Sequence, residues 1–83
     1  MEKATVIEQI TRTLAPYLGA TMAEASTRAH CEKLGIDGQA IDESQVRALV
    51  GKLGSGLAIF IGRDKAAGVV EEIRRAIAAG GAR

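Results

Sequence analysis

The apolar positions fall into four runs with a helical rhythm. Over residues 2–18, Ile7, Ile10, Leu14, Tyr17 and Leu18 share one face, and Glu8 and Arg12 form an i,i+4 pair in the favourable orientation. Pro16 removes the hydrogen bond to the Arg12 carbonyl and disfavours helical dihedrals at Ala15, which predicts a bent last turn ending at Gly19. Thr21-Met-Ala-Glu24 has the form of a capping box. It predicts a second helix to Leu34, rich in small residues (Ala23, Ala25, Ser26, Ala29), with Gly35 and Ile36 as a Schellman stop. Asp37-Gly38 signals a turn. Asp42-Glu-Ser-Gln45 is another capping box, with Ile41 and Val46 placed as a hydrophobic staple. The third run has large apolar residues at 46, 49, 50, 53, 57 and 60 and stops at Gly62. Asp64 then caps a fourth helix with Ala66, Val69, Val70, Ile73 and Ile77 inward. Glu71, Glu72, Arg74 and Arg75 face water, and no internal repeat stands out. The pattern predicts one all-α domain, a compact four-helix bundle over residues 1–79, with 80–83 as a flexible tail.

The third run passes through Gly51, Gly54 and Gly56, each costing about 1 kcal/mol in a helix relative to alanine. Three such residues imply close backbone approach, within the bundle or with a second chain. A break at Gly54-Ser-Gly56 that turned 57–61 into a strand is disfavoured, because one strand has nothing to pair with except a second copy. Ile59 and Ile61 fall off the inward register, as does Val6 on the first helix. Exposed together they would form the kind of patch that marks a partner surface. The candidate interface is therefore Gly51, Gly54, Gly56, Ile59, Phe60 and Ile61.

Composition supports this picture. Nineteen Leu, Ile and Val residues are accompanied by only two aromatics, Tyr17 and Phe60, while Ala and Gly fill 25 positions. Such a core suits closely packed helices better than a sandwich or barrel. At 83 residues a chain buries only about 60–65% of its unfolded surface, so good packing or a partner must supply the margin. Eleven basic and ten acidic residues give a net charge of +1 with no run of one sign. That argues against a nucleic-acid footprint or a polybasic membrane surface, and gives self-association little electrostatic resistance. A single cysteine, no apolar run of spanning length and no basic-then-apolar leader make a cytoplasmic domain without membrane insertion the expectation.

Chemistry is thinly represented. Gly51-Lys-Leu-Gly54-Ser-Gly56 lacks the spacing of a phosphate loop or a dinucleotide fingerprint, and no strand precedes it. His30 and Cys31, the only residues of their types, are neighbours and supply at most one wall of a metal site, so neither metal nor cofactor is expected. No second histidine offers a base for nucleophilic catalysis, and Cys31 reads as a small core residue. His30-Cys-Glu-Lys33 does place a lysine one turn after a histidine, similar to histidine-phosphotransfer domains, which also use four-helix scaffolds. In those domains a glycine directly follows the lysine, whereas here Leu34 intervenes. His30 is thus an alternative phosphoacceptor. Ser44 in IDESQV matches the serine of an acyl carrier poorly, and the Gly35–Ile41 connection is too long for a helix-turn-helix.

Leu14-Ala-Pro-Tyr-Leu-Gly19 with Ala23, and Leu57-Ala-Ile-Phe60-Ile-Gly62-Arg-Asp-Lys65-Ala66, carry a family resemblance over roughly residues 7–77. Together they resemble small helical modules that follow bacterial serine/threonine kinase domains or accompany roadblock-type GTPase regulators. Those modules show a proline after the first glycine, where this chain has Ala20. The resemblance implies a non-enzymatic, regulatory or scaffolding role through protein–protein contact. The expected partner is a second copy, as a homodimer, or a larger signalling protein.

Overall fold

The computed structural model describes residues 1–81. It contains four helices: α1, Lys3–Leu18; α2, Ala20–Lys33; α3, Glu43–Ile61; and α4, Arg63–Gly81. They form an all-α bundle in which each helix packs on two others in a ring. α1 lies against α2 and α4, and α3 lies against α4 and α2. The diagonal pairs make no close backbone approach. Tyr17 meets Glu72 and Gln9 lies beside Gly80, so α1 and α4 run antiparallel. The core is aliphatic. Ile10, Leu14, Leu49, Ile73 and Ile41 are its largest fully buried side chains, and neither aromatic belongs to it.

Two of the three connections are single glycines. Gly19 (φ 83°, ψ 153°) joins α1 to α2, and Gly62 (φ 90°, ψ 157°) joins α3 to α4. This region of backbone space is open essentially to glycine alone. Each glycine N–H donates to the carbonyl four residues back, Ala15 at 2.8 Å or Ala58 at 3.0 Å. Each glycine carbonyl accepts from the amide four residues on, Ala23 at 2.9 Å or Ala66 at 3.0 Å. One residue therefore closes one helix and opens the next, leaving no room for the side-chain caps expected at Thr21 and Asp64. Glu24 instead meets Arg28 at 3.0 Å. Asp64 lies in the first turn of α4, where a carboxylate favours the helix dipole.

The third connection matches its sequence signals. The Ile36 N–H donates to the Cys31 carbonyl at 2.9 Å and the Gly35 N–H to Glu32 at 3.1 Å, with Gly35 at φ 72°. This is the Schellman pair. Asp42 accepts from the Gln45 amide at 2.8 Å, and Gln45 Oε1 accepts from the Asp42 amide at 2.9 Å, completing the capping box. The Gln45 amide and the Ser44 hydroxyl hold the Asp42 carboxyl below the usual carboxylate range. The N-terminus straps this loop: Lys3 N–H donates to Gln39 and Ile41 N–H to Met1, both at 2.8 Å.

α1 runs through Pro16 to Leu18, and α3 is continuous through Gly54 and Gly56. α4 reaches Gly81, past the point where the tail was expected to begin; residues 82–83 lie outside those described. Val6, expected outward, is only 3% exposed. Because α1 is flanked by both α2 and α4, its buried arc is wider than a one-faced helix wheel allows.

Candidate functional site

Superposing the two corner glycines in sequence places Leu14-Ala15-Pro16-Tyr17-Leu18-Gly19 on Leu57-Ala58-Ile59-Phe60-Ile61-Gly62, and Ala23 on Ala66. Burial repeats in the same register on α1 and α3, whereas on α2 and α4 Ala23 and Ala66 match but buried Thr27 and Cys31 fall on half-buried Val70 and exposed Arg74. Val6, Ile7, Ile10 and Leu14 on α1 correspond to Leu49, Val50, Leu53 and Leu57 on α3, and all eight are buried. Leu18 and Ile61 are both half-buried against the core. Exchanging α1 with α3 and α2 with α4 maps every packed pair onto another. The bundle is built from two hairpins of like topology that share a short motif around their glycine corners, a local likeness missed by the expectation of no internal repeat. The signal was Leu-Ala-x-aromatic-Leu/Ile-Gly-x-x-x-Ala, obscured because the surface positions of the two halves differ almost throughout.

The repeat supplies an internal control for the two seams between hairpins. At the α1–α4 seam, Tyr17 donates its hydroxyl to Glu72 at 3.0 Å, Val69 and Ile73 are buried, and Thr13 is half-buried. The same positions in the α2–α3 seam hold Phe60 with Ala29, Ser26, His30 and Gly56. Phenylalanine has no hydroxyl to donate and alanine has no carboxylate to receive one. The α2–α3 helices pack more sparsely, and a groove of ≈ 90 Å³ opens between Met22, Ser26, His30, Gly56 and Phe60. Phe60 is 74% exposed against 41% for Tyr17, and Ile59 beside it is 89% exposed.

The structure brings together only part of the candidate interface. Gly56 and Phe60 line the groove, and Ile59 stands exposed beside Phe60, outside the lining. Phe60 keeps the inward rhythm but is uncovered, because the seam at its level is open. Ile61 packs half-buried on the core and leaves the exposed set. Gly51 lies on another face with open space around it, whereas a Cβ on Gly54 would meet Val70 Cγ2 at 2.8 Å. Gly54 is the close-approach glycine, and it serves the α3–α4 contact inside the fold. Met22, 53% exposed, joins the groove and was not singled out in the sequence.

His30 is half-buried with Nδ1 2.7 Å from the Ser26 carbonyl. A carbonyl only accepts, so Nδ1 carries a proton and the neutral ring keeps its lone pair on Nε2. Cys31 turns into the core, where burial pushes its thiol upward. Among the described residues no three of His, Cys, Asp and Glu are grouped to hold a metal, and no helix is long and apolar enough to cross a membrane. A wider depression of ≈ 620 Å³ lies between the start of α3 and the end of α4, where Arg47 faces Glu43 at 3.8 Å on an open surface. Comparison of the chain with protein-family models, with curated proteins and with solved structures returned no match.

Proposed function

We propose that the protein is a non-enzymatic interaction module of a bacterial signalling or cell-organisation system, binding another polypeptide at the α2–α3 seam. The observation that carries this reading is the exposure of Ile59 and Phe60, at 89% and 74%, beside a groove at the level where Tyr17 and Glu72 close the equivalent seam. Neighbouring apolar side chains left in water weaken a small domain's solubility and gain free energy when a partner covers them. The test is affinity capture from a lysate of the source organism by wild type and by Phe60→Glu, after circular dichroism shows equal helix content. Capture by wild type alone is the expected result; equal capture by both removes the seam as the binding surface.

A second reading attaches to His30, whose Nδ1–H is held by the Ser26 carbonyl so that Nε2 is the nitrogen left to accept a phosphoryl group. It requires acid-labile labelling of wild type by acetyl phosphate or a histidine kinase, lost in His30→Gln. No label from either donor ends it.

A further inference from the structure

We infer that the polypeptide covering the α2–α3 seam is a second copy of this chain, paired about a two-fold axis that passes beside Gly56. The inference rests on the interaction reading above and adds the identity of the partner.

Three observations carry it. First, the surface holds a projection and a recess side by side. Ile59 stands outward at 89% exposure, next in the chain to Phe60, which lines the groove with Met22, Ser26 and Gly56. A two-fold contact matches a patch to itself, so a surface bearing both shapes is self-complementary. The recess is also about the right size. Ser26 is smaller than Val69 and Gly56 smaller than Thr13, while His30 is larger than Ile73. The groove these exchanges leave is ≈ 90 Å³, room for a small apolar side chain.

Second, the surface is poor in charge. From Leu53 to Gly62 there is no Asp, Glu, Lys or Arg, and the α2 residues of the groove are Met22, Ser26 and His30, with Lys33 one turn beyond at its edge. A two-fold axis brings each charge towards its own copy, and an axis beside Gly56 keeps Lys33 at the rim. A basic partner segment would find no carboxylate among the groove residues.

Third, the area is near what a specific contact needs. Ile59, Phe60 and Met22 expose on the order of 450 Å² between them, so two copies can cover at most roughly 900 Å² before flanking residues are added, against about 1,000 Å² for a specific interface. That size gives a reversible, concentration-dependent dimer. Gly56, with open space where a Cβ would stand, lets the two α3 backbones come close at the axis.

Light scattering from roughly 10 μM to 1 mM should show the mass rising from 8.7 kDa towards twice that value for wild type, with Ile59→Glu staying at 8.7 kDa and matching the wild-type melting temperature at the dilute end, where both are monomers. A wild type that remains monomeric throughout overturns self-pairing. A photo-crosslinking residue at position 59, used in the source cells, separates this inference from the one beneath it. An adduct of two chains supports the two-fold dimer. An adduct of any other mass overturns self-pairing while keeping the seam as a binding surface. Absence of any adduct, with the protein folded, overturns both.

Discussion

The two seams of this bundle start from equivalent pairs of helices and end differently. Both join the first helix of one hairpin to the second helix of the other, below identical glycine corners. Near its glycine corner the α1–α4 seam is closed by Val69, Ile73 and a Tyr17–Glu72 hydrogen bond, and it opens only farther along, in a depression of ≈ 240 Å³ between Thr5, Gln9 and Ile77. The α2–α3 seam holds Ser26, His30 and an unpinned Phe60, and stays open. A handful of side chains therefore decides which seam supports the fold and which faces outward. In a repeated fold, the departures from the repeat are where a function other than folding is to be sought.

Several substitutions test the contrast. Ile73→Ala should cost about 2–5 kcal/mol, because it empties a fully buried site in the closed seam. His30→Ala, at the matching position of the open seam, should cost less than about 1 kcal/mol in urea unfolding. Comparable losses would mean that the α2–α3 seam also supports the fold. Where the hairpins are alike the effects should match: Gly19→Ala and Gly62→Ala should each cost about 1–3 kcal/mol from backbone strain alone. Rebuilding the open seam on the closed one, with Ser26→Val and Gly56→Thr together, should stabilise the chain by about 1–2 kcal/mol and weaken self-association. On α3, Gly51→Ala should stabilise by about 0.5–1 kcal/mol, and Gly54→Ala should lose that gain in displacing Val70. The smallest effect concerns alkaline pH. Donation to the Glu72 carboxylate raises the Tyr17 phenol above its ordinary value. A group whose folded value is raised contributes stability below its unfolded value, near 10, and loses it as pH rises through the folded one. A slight fall in melting temperature above that pH should therefore appear in wild type and be absent in Tyr17→Phe.

Much of this fold could be read from single residues. Asp42 with Gln45, Gly35 with Ile36, and the spacing of Ile10, Leu14, Leu49 and Leu53 announce their local structures because each signal is complete within a few residues. The misses share a different cause. Thr21 and Asp64 look like caps only if a loop precedes them, and a one-residue corner supplies the cap from the glycine itself. Val6 is buried because α1 has two neighbours, and Phe60 is exposed because the neighbour it points towards is trimmed. Those facts belong to the arrangement of helices, not to any one helix. Of the site, Ile59 and Gly56 could be read from register. Met22 and the groove needed the second hairpin for comparison.

The one-residue corners at Gly19 and Gly62 also bear on the order in which the chain folds. Closing a loop costs entropy that grows with its length, and here the loop within each hairpin is as short as two helices permit. Each hairpin can thus collapse on contacts that are near in sequence, the circumstance in which small domains fold fastest. The slow event is then the meeting of two preformed hairpins, when Tyr17 finds Glu72 and the N-terminus straps itself to Gln39 and Ile41. Hydrogen-exchange protection should accordingly divide by hairpin, with cooperative units separated at residues 34–42 and not at either glycine.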